Sequence, residues 1–173
     1  MSGKAAGLIM RYFGFPPYFN ESSKVLILGS FPSVKSRESG FFYGNNQNRF
    51  WRVLACALHD SLPKSVEEKK EMLFRHGIAV WDIVASCEIE GSMDGSIKNI
   101  EVADLYEVLK RAKIQKILLN GSFAAKIFKK HYSELTQISL FLPSTSPANA
   151  RFNADVWLGA FNDVSVKESK NIE

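Results

Sequence analysis

Four short runs of uninterrupted apolar residues, each closed by a turn, constrain this chain more than any other feature. Val25-Leu26-Ile27-Leu28 ends at Gly29-Ser30-Phe31-Pro32, and Ile78-Ala79-Val80-Trp81-Asp82-Ile83 forms a second run. Ile114-Gln115-Lys116-Ile117-Leu118-Leu119 stops at Asn120-Gly121, and Ile138-Ser139-Leu140-Phe141-Leu142 stops at Pro143. A strand that is apolar on successive residues has to be covered on both faces, which is the signature of a parallel sheet buried between helices.

The intervening segments supply the helices. Arg49 to Leu58 places Phe50, Val53, Leu54, Ala57 and Leu58 at helical spacing. Ser65 with Glu68 three residues later predicts a capped helix over Ser65–His76. Helices are also expected over Val102–Ala112, Ser122–Tyr132 and about Asn153–Val164. Strands alternating with helices imply βαβ units. The expected fold is therefore a three-layer α/β/α domain around a central, mainly parallel four-stranded sheet. It occupies residues 1–165, with a polar tail at 166–173.

The 173 residues suit one such domain. A formal charge of +4 favours acidic partners, although the basic residues are dispersed rather than clustered. Cys56 and Cys87 stand apart from each other and from any Cys/His cluster, so buried reduced thiols are expected and a metal site is not. Met1 to Asn20 has too short an apolar piece for a signal peptide, and no segment approaches the roughly 20 apolar residues of a membrane span. A cytoplasmic protein is expected.

In parallel α/β folds the ligand crevice lies beyond the carboxyl ends of the strands. The segments at those ends here are Gly29–Pro32, the residues after Asp82, Asn120–Ser122 and Pro143–Pro147. They offer backbone N–H groups, hydroxyls and amides, which suit a phosphate-bearing or base-like ligand.

Two stretches are more specific. Leu28-Gly29-Ser30-Phe31-Pro32 continues through Gly40-Phe41-Phe42-Tyr43-Gly44 to Asn48-Arg49-Phe50-Trp51; near the other end stands Leu142-Pro143-Ser144-Thr145-Ser146-Pro147-Ala148-Asn149-Ala150. Together they resemble the two signature motifs of the uracil-DNA glycosylase superfamily. The Ser-Thr-Ser-Pro-Ala-Asn form, with Gly77-Ile78, Trp81-Asp82, Gly91-Ser92, Asp94 and Asn120-Gly121, resembles its hypoxanthine-DNA (deoxyinosine) glycosylase branch.

That resemblance implies a monofunctional enzyme of base excision repair, acting as a monomer on double-stranded DNA that contains a deaminated base, without metal or cofactor. Such an enzyme flips the nucleotide out and hydrolyses its N-glycosidic bond. The transition state couples an oxocarbenium-like sugar with a leaving base, so a held water and positioned hydrogen-bond donors are needed. The resemblance assigns base stacking to Tyr43 and base contacts to Gly29, Ser30, Phe31 and Asn120. It assigns DNA contact to Ser144, Thr145, Ser146, Pro147, Ala148 and Asn149. Many relatives carry Asp or Asn where this chain has Phe31, which cannot polarise water. The hypoxanthine branch shares that loss and implies Asn48 as the catalytic residue.

Other readings stay open. Asn48 could instead cap the following helix, and Asn45 and Asn46 compete for its role. Asp82 could orient water or make a structural hydrogen bond. Asn120 could anchor a loop, and Lys35, Arg37 and Arg49 could meet phosphates or stay solvated. His59, His76 and His131 read as helix-surface or helix-end residues. Uracil or mismatched uracil is the alternative substrate, and a non-catalytic DNA-binding protein of the same fold is the alternative class. A small-molecule α/β enzyme lacks support, because no Gly-rich phosphate loop, nucleophile elbow or metal motif is present.

Overall fold

The computed structural model describes residues 9–90 and 96–168. Strands β2 (Val25–Gly29), β3 (Ile78–Asp82), β6 (Lys116–Asn120) and β7 (Ser139–Leu142) form one sheet in the order β3-β2-β6-β7. Every neighbouring pair in it is parallel. The continuous apolar runs explain the burial: Leu26, Ile27, Leu28, Ala79, Val80, Ile117 and Leu118 are fully covered. The four expected strands are all present, each with its ends within a residue or two of the expected positions.

Helices α2 (Phe50–Ala57), α3 (Val66–Arg75), α5 (Ser122–His131) and α6 (Ala154–Glu168) flank the sheet. The cap read from Ser65 is present, since its side chain accepts the Glu68 N–H, and the Glu68 carboxylate accepts the Lys64 N–H. Helix α6 runs past the expected end at Val164, across the position where a polar tail was expected to begin. A short α1 (Val34–Ser39), not foreseen from the sequence, is capped by the Ser33 hydroxyl at Ser36 N–H and by Gly40 at φ 76°.

A second, three-stranded antiparallel sheet was not anticipated. It joins β1 (Ile9–Phe13), β4 (Val84–Glu90) and β5 (Ile97–Val102) in the order β1-β4-β5. Its presence corrects the expected helix over Val102–Ala112. Val102 closes β5, Ala103 N–H donates to the Ile83 carbonyl, and only Tyr106–Leu109 form a helix, α4. The Leu105 N–H is taken by the Tyr132 hydroxyl, and Asp104 accepts from Tyr106 N–H, so the helix cannot begin earlier. The Gly91, Ser92 and Asp94 positions lie outside the described residues.

Cys87 is buried as expected, but Cys56 is exposed on α2, so the expectation of two buried thiols is half corrected; both are free. No described helix is long and apolar enough to cross a membrane.

Candidate active site

The chain passes from β2 to β3 on one side and later returns to place β6 on the other side of β2, so the direction of winding reverses there. That topological switch point opens a crevice beyond the carboxyl ends of the strands. A cleft of about 620 Å³ occupies it, within the range of small-molecule pockets. Gly29, Ser30, Phe31, Tyr43, Asn48, Asn120, Ser144, Thr145, Ser146, Pro147 and Ala148 all line it. Asn149 does not, and neither does Asn46. The cleft also takes Asp82, Asn45 and Phe123, and Ile97 from the unforeseen antiparallel sheet.

The segment between β2 and α2 is held from beneath. The Ser36 hydroxyl accepts the Gly44 N–H at 2.9 Å, and the Trp51 indole donates to the Phe42 carbonyl at 3.2 Å. Between them Tyr43 adopts φ 53°, a left-handed conformation costing a bulky residue on the order of 1–2 kcal/mol. Its ring stacks on Phe50 with centroids 3.8 Å apart, and its hydroxyl accepts from Asn120 Nδ2 at 3.2 Å. Those contacts hold the strained turn and aim the ring into the cleft. Burial, with the Asp82 carboxyl beside it, holds the phenol well above its ordinary range.

Asn48 serves the helix and the cleft at once. Its Oδ1 accepts the N–H of Phe50, the first residue of α2, at 2.9 Å, and its own N–H donates to the Asn45 carbonyl. With Oδ1 engaged, the amide NH₂ is the end left to the cleft it lines. An amide in that setting can hold a water by donating to it but cannot take its proton.

The two motif stretches are fastened to each other. Asn120 Nδ2 donates to Thr145 Oγ1 at 3.0 Å, and Thr145 N–H returns a bond to Asn120 Oδ1 at 3.0 Å. Arg49 N–H donates to the Thr145 carbonyl, while its guanidinium donates to the carbonyls of Ser146 at 3.0 Å and Asn149 at 3.1 Å. Trp157 donates from its indole to the Pro143 carbonyl at 2.8 Å. Arg49, one of the cations that could have met phosphates, is therefore a clamp on the 144–149 loop, packed over the Phe152 ring. Asn149 turns its amide inward to the Ser144 carbonyl. Gly121, at φ 97°, lets the start of α5 pass Ser144, where a Cβ would sit 3.1 Å from the serine Cβ.

Arg37 lies against aromatic rings rather than lining the cleft. Its guanidinium lies 4.5 Å from the Tyr12 ring centre and 5.9 Å from that of Phe31. Lys35 remains exposed. His76 bonds to Asp60 at the end of α3, His131 ends α5, and His59 follows α2, none of them lining the cleft.

Asp82 is the functional group that sequence reading undervalued. It ends β3, is 5% exposed, and lines the cleft. Gly29 makes room for it, because a Cβ there would fall 2.4 Å from Asp82 Oδ1 and 2.9 Å from the Tyr43 hydroxyl. Burial pushes its carboxyl up to about 7. A polar residue at a strand end was legible; its enclosure depends on Gly29 and Tyr43, which only the fold brings near. Among the described residues no cluster of His, Cys, Asp and Glu could hold a metal ion.

Comparison with known proteins agrees with this geometry. Residues 16–164 match the family model described as the uracil DNA glycosylase superfamily. The chain is 34% identical over 142 residues to a hypoxanthine DNA glycosylase of Methanosarcina acetivorans, covering 81% of this chain and 89% of that protein. It is 30% identical to a hypoxanthine DNA glycosylase of Methanosarcina barkeri, covering 82% of this chain and 90% of that one. The solution NMR structure of a Methanosarcina acetivorans protein described as a candidate uracil DNA glycosylase superimposes with a TM-score of 0.79 at 30% identity, covering 90% of this chain and 99% of that structure. A parallel sheet with a switch-point cleft, two motif loops bound across it, and matches spanning nearly the whole chain lead to one conclusion: this protein belongs to the uracil DNA glycosylase superfamily.

Proposed function

We propose that this chain is a monofunctional DNA glycosylase that removes hypoxanthine from deoxyinosine in double-stranded DNA, acting as a monomer. The observation that carries the reading is Asn120, whose Nδ2 donates both to the Tyr43 hydroxyl of the first motif stretch and to Thr145 Oγ1 of the second, tying the two into one cleft. The names of the two Methanosarcina relatives point to the same substrate.

The chemistry follows from the side chains. Flipping the nucleotide costs a few kcal/mol of stacking and pairing. Stacking on Tyr43, whose other face is backed by Phe50, offsets part of that cost. Gly29, Ser30 and Phe31 form the wall beside the base, and Asn120 contributes an amide edge. The Asn48 amide donates to a water oxygen and holds it toward C1′, where the developing oxocarbenium ion draws the attack. Ser144 and Ser146 offer hydroxyls to the flanking phosphates, and exposed Pro147 and Ala148 approach the minor groove. The Arg49 clamp keeps that loop in register.

Incubating the protein with duplexes containing deoxyinosine, deoxyuridine or deoxyxanthosine, followed by alkali, tests the assignment. Scission fastest at deoxyinosine is expected. Scission confined to deoxyuridine would move the substrate to uracil, the reading suggested by the description of the NMR neighbour. Salt-sensitive duplex binding with no scission at any base would replace the enzyme with a DNA-binding protein.

A further inference from the structure

Hydrolysis of a purine N-glycosidic bond needs a proton for the departing base, and the residues proposed so far cannot give one. Asn48 carries an amide, which donates hydrogen bonds without releasing protons. Among the described residues lining the cleft, only Tyr43 and Asp82 are ionisable. The Tyr43 phenol is held well above its ordinary range and keeps its proton.

Asp82 remains. A buried carboxyl is ordinarily hydrogen-bonded, because an unbonded buried polar group costs free energy. Asp82 is 5% exposed, yet its carboxyl makes no hydrogen bond or ion pair with any described residue, and that carboxyl lines the cleft. The groups around it are accounted for from each side. Strand β2 presents Gly29, where a Cβ would fall 2.4 Å from Oδ1; the segment after β2 presents the neutral Tyr43 phenol. Strand β6 and the loop after β7 bring Asn120, Ser144 and Thr145 to the same cleft, none of them ionisable near neutral pH. Helix α3, behind β3, buries Met72 and Leu73. Burial raises its pKa, and no neighbouring cation opposes that shift by favouring the carboxylate.

We propose that Asp82 is a further catalytic residue, the general acid that protonates a ring nitrogen of the flipped purine as the C1′–N9 bond breaks. This rests on the hypoxanthine reading above. The electron pair of the C1′–N9 bond passes to the purine, the Asp82 proton joins it, and the base leaves neutral. The water held by Asn48 adds to C1′, and the proton it loses restores the Asp82 carboxyl. One water is consumed and no net proton. The raised pKa of Asp82 fits this cycle, since the acid form is kept near neutral pH and the carboxylate can still be recharged.

The test is single-turnover release of hypoxanthine from a deoxyinosine duplex by the parent and by Asp82→Asn, from about pH 5.5 to about pH 8.5. The near-isosteric amide keeps the shape but has no proton to transfer. The parent rate is expected to decline as pH rises past about 7, and the variant to be slower by roughly 100-fold with a flat profile. A variant within a few-fold of the parent and sharing its profile would overturn the proposal. Should Asp82→Asn not fold, the parent profile decides alone, because a rate that is flat or rising over this range removes the general acid. A parent that releases uracil but no hypoxanthine at any pH would overturn the substrate reading instead, and this purine role with it.

Discussion

Asp82→Asn is also expected to make the protein more stable, by an amount that grows with pH. In the unfolded chain the carboxyl ionises near its ordinary value of 3.8, whereas in the folded protein it keeps its proton up to about 7. Between those values the native state binds a proton that the unfolded state has lost, so raising the pH favours unfolding. Each pH unit in that window costs about 1.4 kcal/mol, which brings the full penalty to roughly 4 kcal/mol above pH 7. Asparagine does not titrate and carries no such penalty. The gap between variant and parent is therefore small near pH 4, widens through pH 5 and 6, and levels off above about 7.

Urea unfolding followed by tryptophan fluorescence, with Trp51, Trp81 and Trp157 all in the core or beside it, measures that gap at each pH. Between about pH 5 and about pH 8 it is expected to widen by on the order of 3 kcal/mol, an increase of 1 M urea or more at ordinary m-values. The other titrating groups are common to both proteins and cancel in the difference. A gap that stays constant across this range, or a variant less stable than the parent at about pH 8, would refute the picture of a buried, unpartnered carboxyl. Together with the activity expected of the same variant, the result would show a site held at a cost in stability.

Further consequences follow from the contacts around the cleft. Gly29→Ala places a methyl 2.4 Å from Asp82 Oδ1 and 2.9 Å from the Tyr43 hydroxyl, so thermal unfolding should show a loss of about 1–3 kcal/mol, with base release strongly impaired. Asn120→Ala strips Thr145 N–H and Oγ1 of their partner; a destabilisation of roughly 1–3 kcal/mol by urea titration is expected, and an unchanged midpoint would contradict the bridge. Arg49→Ala frees the carbonyls of Ser146 and Asn149; duplex titration should show weaker binding while the slope of affinity against salt barely changes, since Arg49 is engaged within the protein rather than by phosphate.

How much of this was legible beforehand differs by element. The parallel strands announced themselves because a strand buried on both faces, such as Val25–Gly29, needs apolar residues at every position. Helix α3 was legible from its cap, a purely local contact. The antiparallel sheet was not, because β1 leaves Ile9, Met10 and Phe13 exposed and pairs with β4 across some 70 residues of chain, so neither periodicity nor a turn marks it. Its neighbour Val102–Ala112 then looked helical from Leu105, Val108 and Leu109 alone, although all but one turn went to a strand and loops.

The same division holds in the cleft. Phe31, Tyr43, Asn48 and the Ser144–Ala148 run were marked by motif and do line one cleft. The parts played by Arg49 and Asp82 depended on which groups the fold places around them. A cation beside a DNA-binding motif resembles a phosphate ligand until the carbonyls of Ser146 and Asn149 are found beneath it. An aspartate at a strand end resembles a structural acceptor until no donor is found within the described residues.

The central claim is most directly tested by chromatographic measurement of free hypoxanthine released from a deoxyinosine duplex by the parent and by Asn48→Ala. Release by the parent is expected, with a rate lower by roughly 10²–10³-fold in the variant, and the variant should still fold after losing one hydrogen bond at the start of α2, worth about 1 kcal/mol. Release that is equal in both would remove Asn48 from the chemistry. A parent that binds the duplex yet leaves every glycosidic bond intact would contradict the claim that this cleft is an enzyme's.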